Sequence, residues 1–214
     1  LRVGDAGGLE AEYPKSAGRS PFLRVERLSW HNADPFGVSL EEVDLEVRAG
    51  EIVGIAGVAG NGQDELLALL SGEQRLPAAQ ARHIRFLGDD VAHLRPDARR
   101  RHGMAFVPAE RLGHGAVPSM SLADNGLLTA FQQTGMVEQG MIRRGKVRAF
   151  AEQVIQRFAV KTPDAQTPAA SLSGGNLQKF ILGREILQQP KLLIAAHPTW
   201  GVDGGAAVLL GSYK

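Results

Sequence analysis

The chain has 214 residues, 43% of them hydrophobic and 22% charged. That length fits one main domain with an appended subdomain, and folding would hide roughly 70% of the unfolded surface. Lys+Arg number 24 and Asp+Glu 23, a net charge of +1 that supplies no global attraction to nucleic acid or to an acidic membrane surface. With no cysteine there is no disulfide framework and no thiolate metal site. No apolar run approaches the ~20 residues that span a bilayer.

In chain order, residues 1–20 are rich in Gly and poor in large apolar side chains, and read as a flexible linker. A strand with alternating polarity is predicted from Phe22 to Trp30. A second, half-buried one carries Val43, Leu45 and Val47. Ile52 to Ala56 is continuously apolar, the pattern of a strand covered on both faces. It runs into the glycine-rich loop that starts at Gly57. Leu66, Leu67, Leu69 and Leu70 then mark a buried helix that stops near Gly72.

A strand is expected over 82–87, a short basic helix over 96–102, and a strand from Met104 to Val107. Residues of about 119–160 show helical spacing and no convincing strand, so a helical insertion is expected there. Leu172 to Gly175 opens a helix that Pro190 ends, and Leu192 to Ala196 is another fully apolar strand. Arg95, Arg99, Arg100 and Arg101 read as a solvated helix face, offset by Asp89, Asp90 and Asp97.

Two glycine motifs carry chemistry. A phosphate-binding loop needs Gly-x4-Gly-Lys-Ser/Thr: backbone N–H groups ring the phosphate, Lys neutralises it, and the hydroxyl holds Mg²⁺. Gly57, Gly60, Asn61 and Gly62 supply the cradle, but Gln63 stands for Lys and Asp64 for the hydroxyl. A tight turn between strand and helix is the other reading. The second motif is Leu172-Ser173-Gly174-Gly175-Asn176. Ser173 suits an N-cap, and the two glycines let an anion approach the positive end of the following helix. An ordinary capped helix is again the alternative.

Together these motifs resemble the ATP-binding cassette family, whose signature loop is Leu-Ser-Gly-Gly-Gln. The 54–63 segment, Val107-Pro108-Ala109-Glu110-Arg111 and the 172–176 loop look like the C-terminal cassette of tandem-cassette importers for simple sugars or purine nucleosides. The resemblance implies an α/β fold: a RecA-like core, an N-terminal antiparallel β subdomain and a helical insertion, truncated at the C-terminus. The expected divisions are a linker at 1–20, the β subdomain and first part of the core at 21–116, the helical subdomain at 117–169, and the signature helix with the end of the core at 170–214. The family's strand after the signature helix ends in Asp-Glu-Pro-Thr. Here Ala196 and His197 replace the Mg²⁺-assisting Asp and the water-polarising Glu, and Ala109 replaces a Gln. Trp30 lies where cassettes place an adenine-stacking aromatic; core packing is the alternative.

Cassettes dimerise head to tail, so the resemblance implies a partner cassette. Ser173, Gly174, Gly175 and Asn176 would complete the site for ATP and Mg²⁺ held by that partner, and Asp203 would contact it. Hydrolysis at the 57–64 loop is not expected. Membrane permease subunits would be further partners, with a solute-binding protein engaged indirectly, no nucleic acid, and a peripheral place on the cytoplasmic membrane face. A cassette protein of DNA repair or translation, or a nonfunctional fragment, are the rival readings. Leu1 in place of Met, and the stop at Lys214, suggest one domain of a longer protein.

Overall fold

The structure, a computed structural model, describes residues 21–34, 37–58, 60–132 and 134–196, and the backbone of 2–4. The chain divides into two compact units, Leu1–Arg100 and Arg101–Lys214.

In the first unit, β2 (Leu23–Trp30) lies between β3 (Leu40–Val47) and β5 (Ile84–Phe86), and β6 (Asp89–Asp90) follows β5, all antiparallel. Leu23, Val25, Leu45, Ile84 and Phe86 alternate into the core, as the period-2 pattern requires. The inward position then moves from 27 to Leu28, because the β2–β3 register shifts there. Arg27 and Glu42 take the extra residues' backbone, each at φ 44, and the Arg27 amide donates to Asp44 Oδ1 at 2.8 Å. The bulge keeps a charged residue out of the core without ending the strand.

Two expectations change in this unit. Arg2–Gly4, inside the stretch read as a linker, form β1 and pair antiparallel with β4 (Gly54–Ala56). The run 52–56 is not covered on both faces: β4 has three residues, Gly54 and Ala56 are exposed, and Ile52 is 53% exposed. Among the described residues its one ladder is with β1. The helix after the loop, α1 (Gln63–Ser71), forms as read. Leu66, Leu69 and Leu70 are buried, and Gly72 ends it at φ 88 with its N–H on the Ala68 carbonyl. The boundary between the units falls at the last residue of α2 (Pro96–Arg101).

In the second unit, β7 (Met104–Val107) and β10 (Leu192–Ala195) pair in parallel, Met104 opposite Leu192. Three helices, α3 (Leu122–Ala130), α4 (Arg144–Arg157) and α5 (Gly174–Ile186), pack on one another around Leu122, Val147, Ala151, Val154, Leu177 and Phe180. The expected helical insertion thus contains α3 and α4. It also holds a hairpin that the reading of 119–160 missed, β8 (Val137–Glu138) and β9 (Met141–Ile142). Gln139 and Gly140 turn it with φ 51 and 76, the left-handed pair of a tight hairpin.

Candidate functional site

The 57–64 loop belongs to the first unit. It leaves β4, turns through Gly60 (φ 84) and Gly62 (φ 97), and enters α1 at Gln63. Gly62 is buried, and an added Cβ would come within 2.7 Å of Leu40 Cδ2. Its backbone therefore requires glycine on conformational and steric grounds together.

Gln63 does not point away from the loop. Its Oε1 accepts the Asn61 N–H at 3.1 Å and its Nε2 donates to the Val58 carbonyl at 3.1 Å. An added Cβ on Gly57 would overlap that same Nε2. The carboxamide thus lies against Gly57 and bonds the backbone of Val58 and Asn61. Asp64 and Glu65 occupy the first turn of α1, where carboxylates favour the helix but repel an anion. A nucleotide phosphate with its Mg²⁺ does not fit this loop as it stands. An amide of the cradle already has an acceptor, no cation stands at 63, and 64 carries a carboxylate.

The other end of α1 is held by a residue read as solvated. Arg99 is 0% exposed. Its Nη1 donates to the Leu69 and Leu70 carbonyls at 2.5 and 2.7 Å, its Nη2 to Ala92 O at 3.0 Å, and its Nε to Leu94 O at 3.1 Å. Two of these are terminal carbonyls of α1, which lack helical partners. Burial pushes the Arg99 pKa down to about 10, so it stays charged at neutral pH. Arg95 remains solvated, its side chain 75% exposed.

The 172–176 loop belongs to the second unit. Ser173 has N-cap backbone, φ −62 and ψ 151, yet its hydroxyl makes no cap bond. It accepts instead from Asn176 Nδ2 at 2.9 Å, and Asn176 Oδ1 accepts the Lys161 N–H at 2.9 Å. Ser173 is the N-cap residue of α5, as read, but its hydroxyl is engaged by Asn176, one turn on, and not by an amide of the first turn. Ser173 and Gly174 remain exposed while Leu177, Phe180 and Ile181 bury the helix behind them.

Gly174 faces Arg111, whose Nη1 an added Cβ would overlap. The loop after β7 is itself tied to α5. Gly115 fits against Ile181 Cδ1, and buried Arg184 donates to Gly115 O at 2.9 Å and Asn125 O at 3.1 Å while pairing with Glu185. Sequence reasoning singled out Arg111 for its motif, but nothing in the motif indicated its contact with Gly174.

The strand ends carry little chemistry. Ala196 is half-buried and donates its N–H to Val107 O at 2.9 Å, and Ala109 is half-buried. Trp30 is half-buried, outside the core of the first unit. His197 and Asp203 lie outside the described residues.

The family model for ABC transporters matches residues 40–200, most of the chain. The chain belongs to the ATP-binding cassette family. Among curated proteins it is 39% identical over 168 residues to the guanosine import ATP-binding protein NupO of Bacillus subtilis, covering 78% of this chain and 32% of that one. It is 39% identical over 189 residues to the glucose import ATP-binding protein TsgD13 of Haloferax volcanii, covering 87% and 34%. Against the ribose import ATP-binding protein RbsA 1 of Rubrobacter xylanophilus the identity is 37% over 220 residues, covering 94% and 43%. The chain thus spans 32–43% of the length of these relatives. Among solved structures it superposes on the dimeric post-hydrolysis state of the cassette MJ0796, bound to ADP and Pi, with TM-score 0.67 and 19% identity over 87% of this chain and 78% of that one. A nucleotide-free cassette from an ABC transporter gives TM-score 0.62 at 18% identity, covering 88% and 73%. The fold is that of the ABC ATPase cassettes, α/β with an antiparallel β subdomain.

Proposed function

We propose that this chain is the second, catalytically degenerate cassette of an ATP-driven importer for simple sugars or nucleosides. Its role is to complete the partner cassette's ATP site, not to hydrolyse ATP at its own loop. The observation that carries this reading is the contrast between the two loops. The 57–64 loop has its backbone bonded by Gln63 and is flanked by Asp64 and Glu65. The 173–176 loop opens α5 with Ser173 and Gly174 exposed and with no acidic residue in the first turn.

In the partner's site, the Ser173 hydroxyl and the free amides of the first turn of α5 would donate to the terminal phosphate. Asn176 would hold the hydroxyl in place through its bond to the Lys161 amide. Such donors act as a fixed set that needs no reorganisation when charge develops. Mg²⁺ would belong to the partner's loop. The sugar and nucleoside import names of the relatives support the transported class. No helix among the described residues is long and apolar enough to cross a membrane. Attachment to the cytoplasmic membrane face would therefore run through permease subunits, with a solute-binding protein acting on them from the other side.

The test is a bulky side chain in the exposed loop. In the full-length protein assembled with its permease in proteoliposomes, Ser173→Phe should lower ATPase activity by a factor of about ten or more. Full activity in that variant would remove the basis of the proposal.

A further inference from the structure

The carboxamide of Gln63 does more than fail to supply a charge. From its geometry we infer that Gln63 is a built-in occupant of the glycine loop and determines whether a phosphate is admitted. Its two polar atoms face the loop in complementary fashion: Oε1 takes the Asn61 N–H, as a phosphate oxygen would, and Nε2 ties down the Val58 carbonyl. The two bonds tie the Gln63 carboxamide to Val58 and to Asn61 at once. Gly57, with no side chain, leaves the room the carboxamide needs. On its other side Gly62 faces Leu40 and Val38, which leave no room for a Cβ. A phosphate entering the loop must displace both bonds at once, in front of the Asp64 and Glu65 carboxylates.

The inference rests on reading 57–64 as a phosphate-type loop, and it separates two causes of weak binding that sequence cannot. If only the missing cation mattered, removing the carboxamide would change nothing. If occupancy matters, removing it opens the loop. Two neutral hydrogen bonds together correspond to roughly a 30-fold difference in affinity.

The experiment titrates the chain with pyrophosphate by calorimetry, in three forms: unaltered, Gln63→Ala, and Gln63→Lys with Asp64→Ser. The expected order is weakest for the unaltered chain, at least tenfold tighter for Gln63→Ala, and tighter again for the double variant. If Gln63→Ala binds no better than the unaltered chain while the double variant gains, charge alone governs the loop and the occupant idea fails. If the double variant also gains nothing, 57–64 is not a phosphate cradle, and the inference falls with that reading. A measurement on the unaltered chain guards against a misfolded variant: the Asn61 amide should exchange its hydrogen at least tenfold more slowly than an open loop amide. Exchange at the open rate would overturn the inference by itself.

Discussion

Replacing Arg99 by Met keeps an apolar stem of similar length and removes the guanidinium. Four carbonyls then lose their donor: Leu69, Leu70, Ala92 and Leu94. Hydrogen bonds to a charged donor are each worth about 2 kcal/mol, so roughly 8 kcal/mol of interaction disappears. Against this, the buried cation no longer has to be desolvated. Burial pushes its pKa from the ordinary guanidinium value down to about 10, which sets that relief at roughly 3 kcal/mol. The expected net loss is about 5 kcal/mol, a large part of the stability of an ordinary domain. Because the folded pKa lies below the unfolded one, this group's contribution rises with pH only between those two values. At lower pH the Met variant should differ from the unaltered chain by a constant amount. Urea unfolding followed by circular dichroism reads the loss, and hydrogen exchange of α1 locates it. Arg95→Met is the control and should stay within about 0.5 kcal/mol, its side chain being 75% exposed. If Arg99→Met and Arg95→Met cost the same, the capping role assigned to Arg99 is wrong.

Two further stability measurements follow from the second unit. Arg184→Met leaves the buried Glu185 carboxylate without its cation and strips donors from Gly115 O and Asn125 O; it should cost about 3–5 kcal/mol by chemical denaturation. An unchanged midpoint would show that the pair is not desolvated. Gln178 is the opposite case: it is 1% exposed, and both its carboxamide atoms lack a partner among the described residues. Gln178→Met should therefore raise stability by about 1 kcal/mol, a rise in Tm of about 2–4 °C. A drop in Tm would mean that the carboxamide is paired in solution.

The elements with strong periodicity and clear punctuation were legible. β7 and α2 appear within a residue of their predicted spans, α1 stops at Gly72, and α5 starts at the two glycines and ends before Pro190. The β8–β9 hairpin was not legible, because each strand has two residues and Gln139-Gly140 replaces the Asn-Gly pair that advertises such a turn. The run 52–56 was over-read: apolar composition states what a strand could bury, while β4 forms over three residues and leaves Gly54 and Ala56 exposed. Arg99 carried no signal of burial, since its charge matches its solvated neighbours and only the free carbonyls of α1 and the 92–94 turn give it a place. For the candidate site, spacing located both glycine loops at the starts of α1 and α5. What their side chains touch it could not show. The Gln63 bonds and the Arg111–Gly174 contact depend on side-chain direction across turns, which spacing leaves open.

The central claim is that the 173–176 loop meets the terminal phosphate of an ATP held by another cassette. Photolabelling of the assembled transporter tests it most directly, using ATP that carries an azidoanilide on its γ-phosphate. Peptide mapping should place the label on the 173–176 segment of this cassette, and an 8-azido label on adenine should fall on the partner. A γ-phosphate label on 57–64, with none on 173–176, would contradict the account.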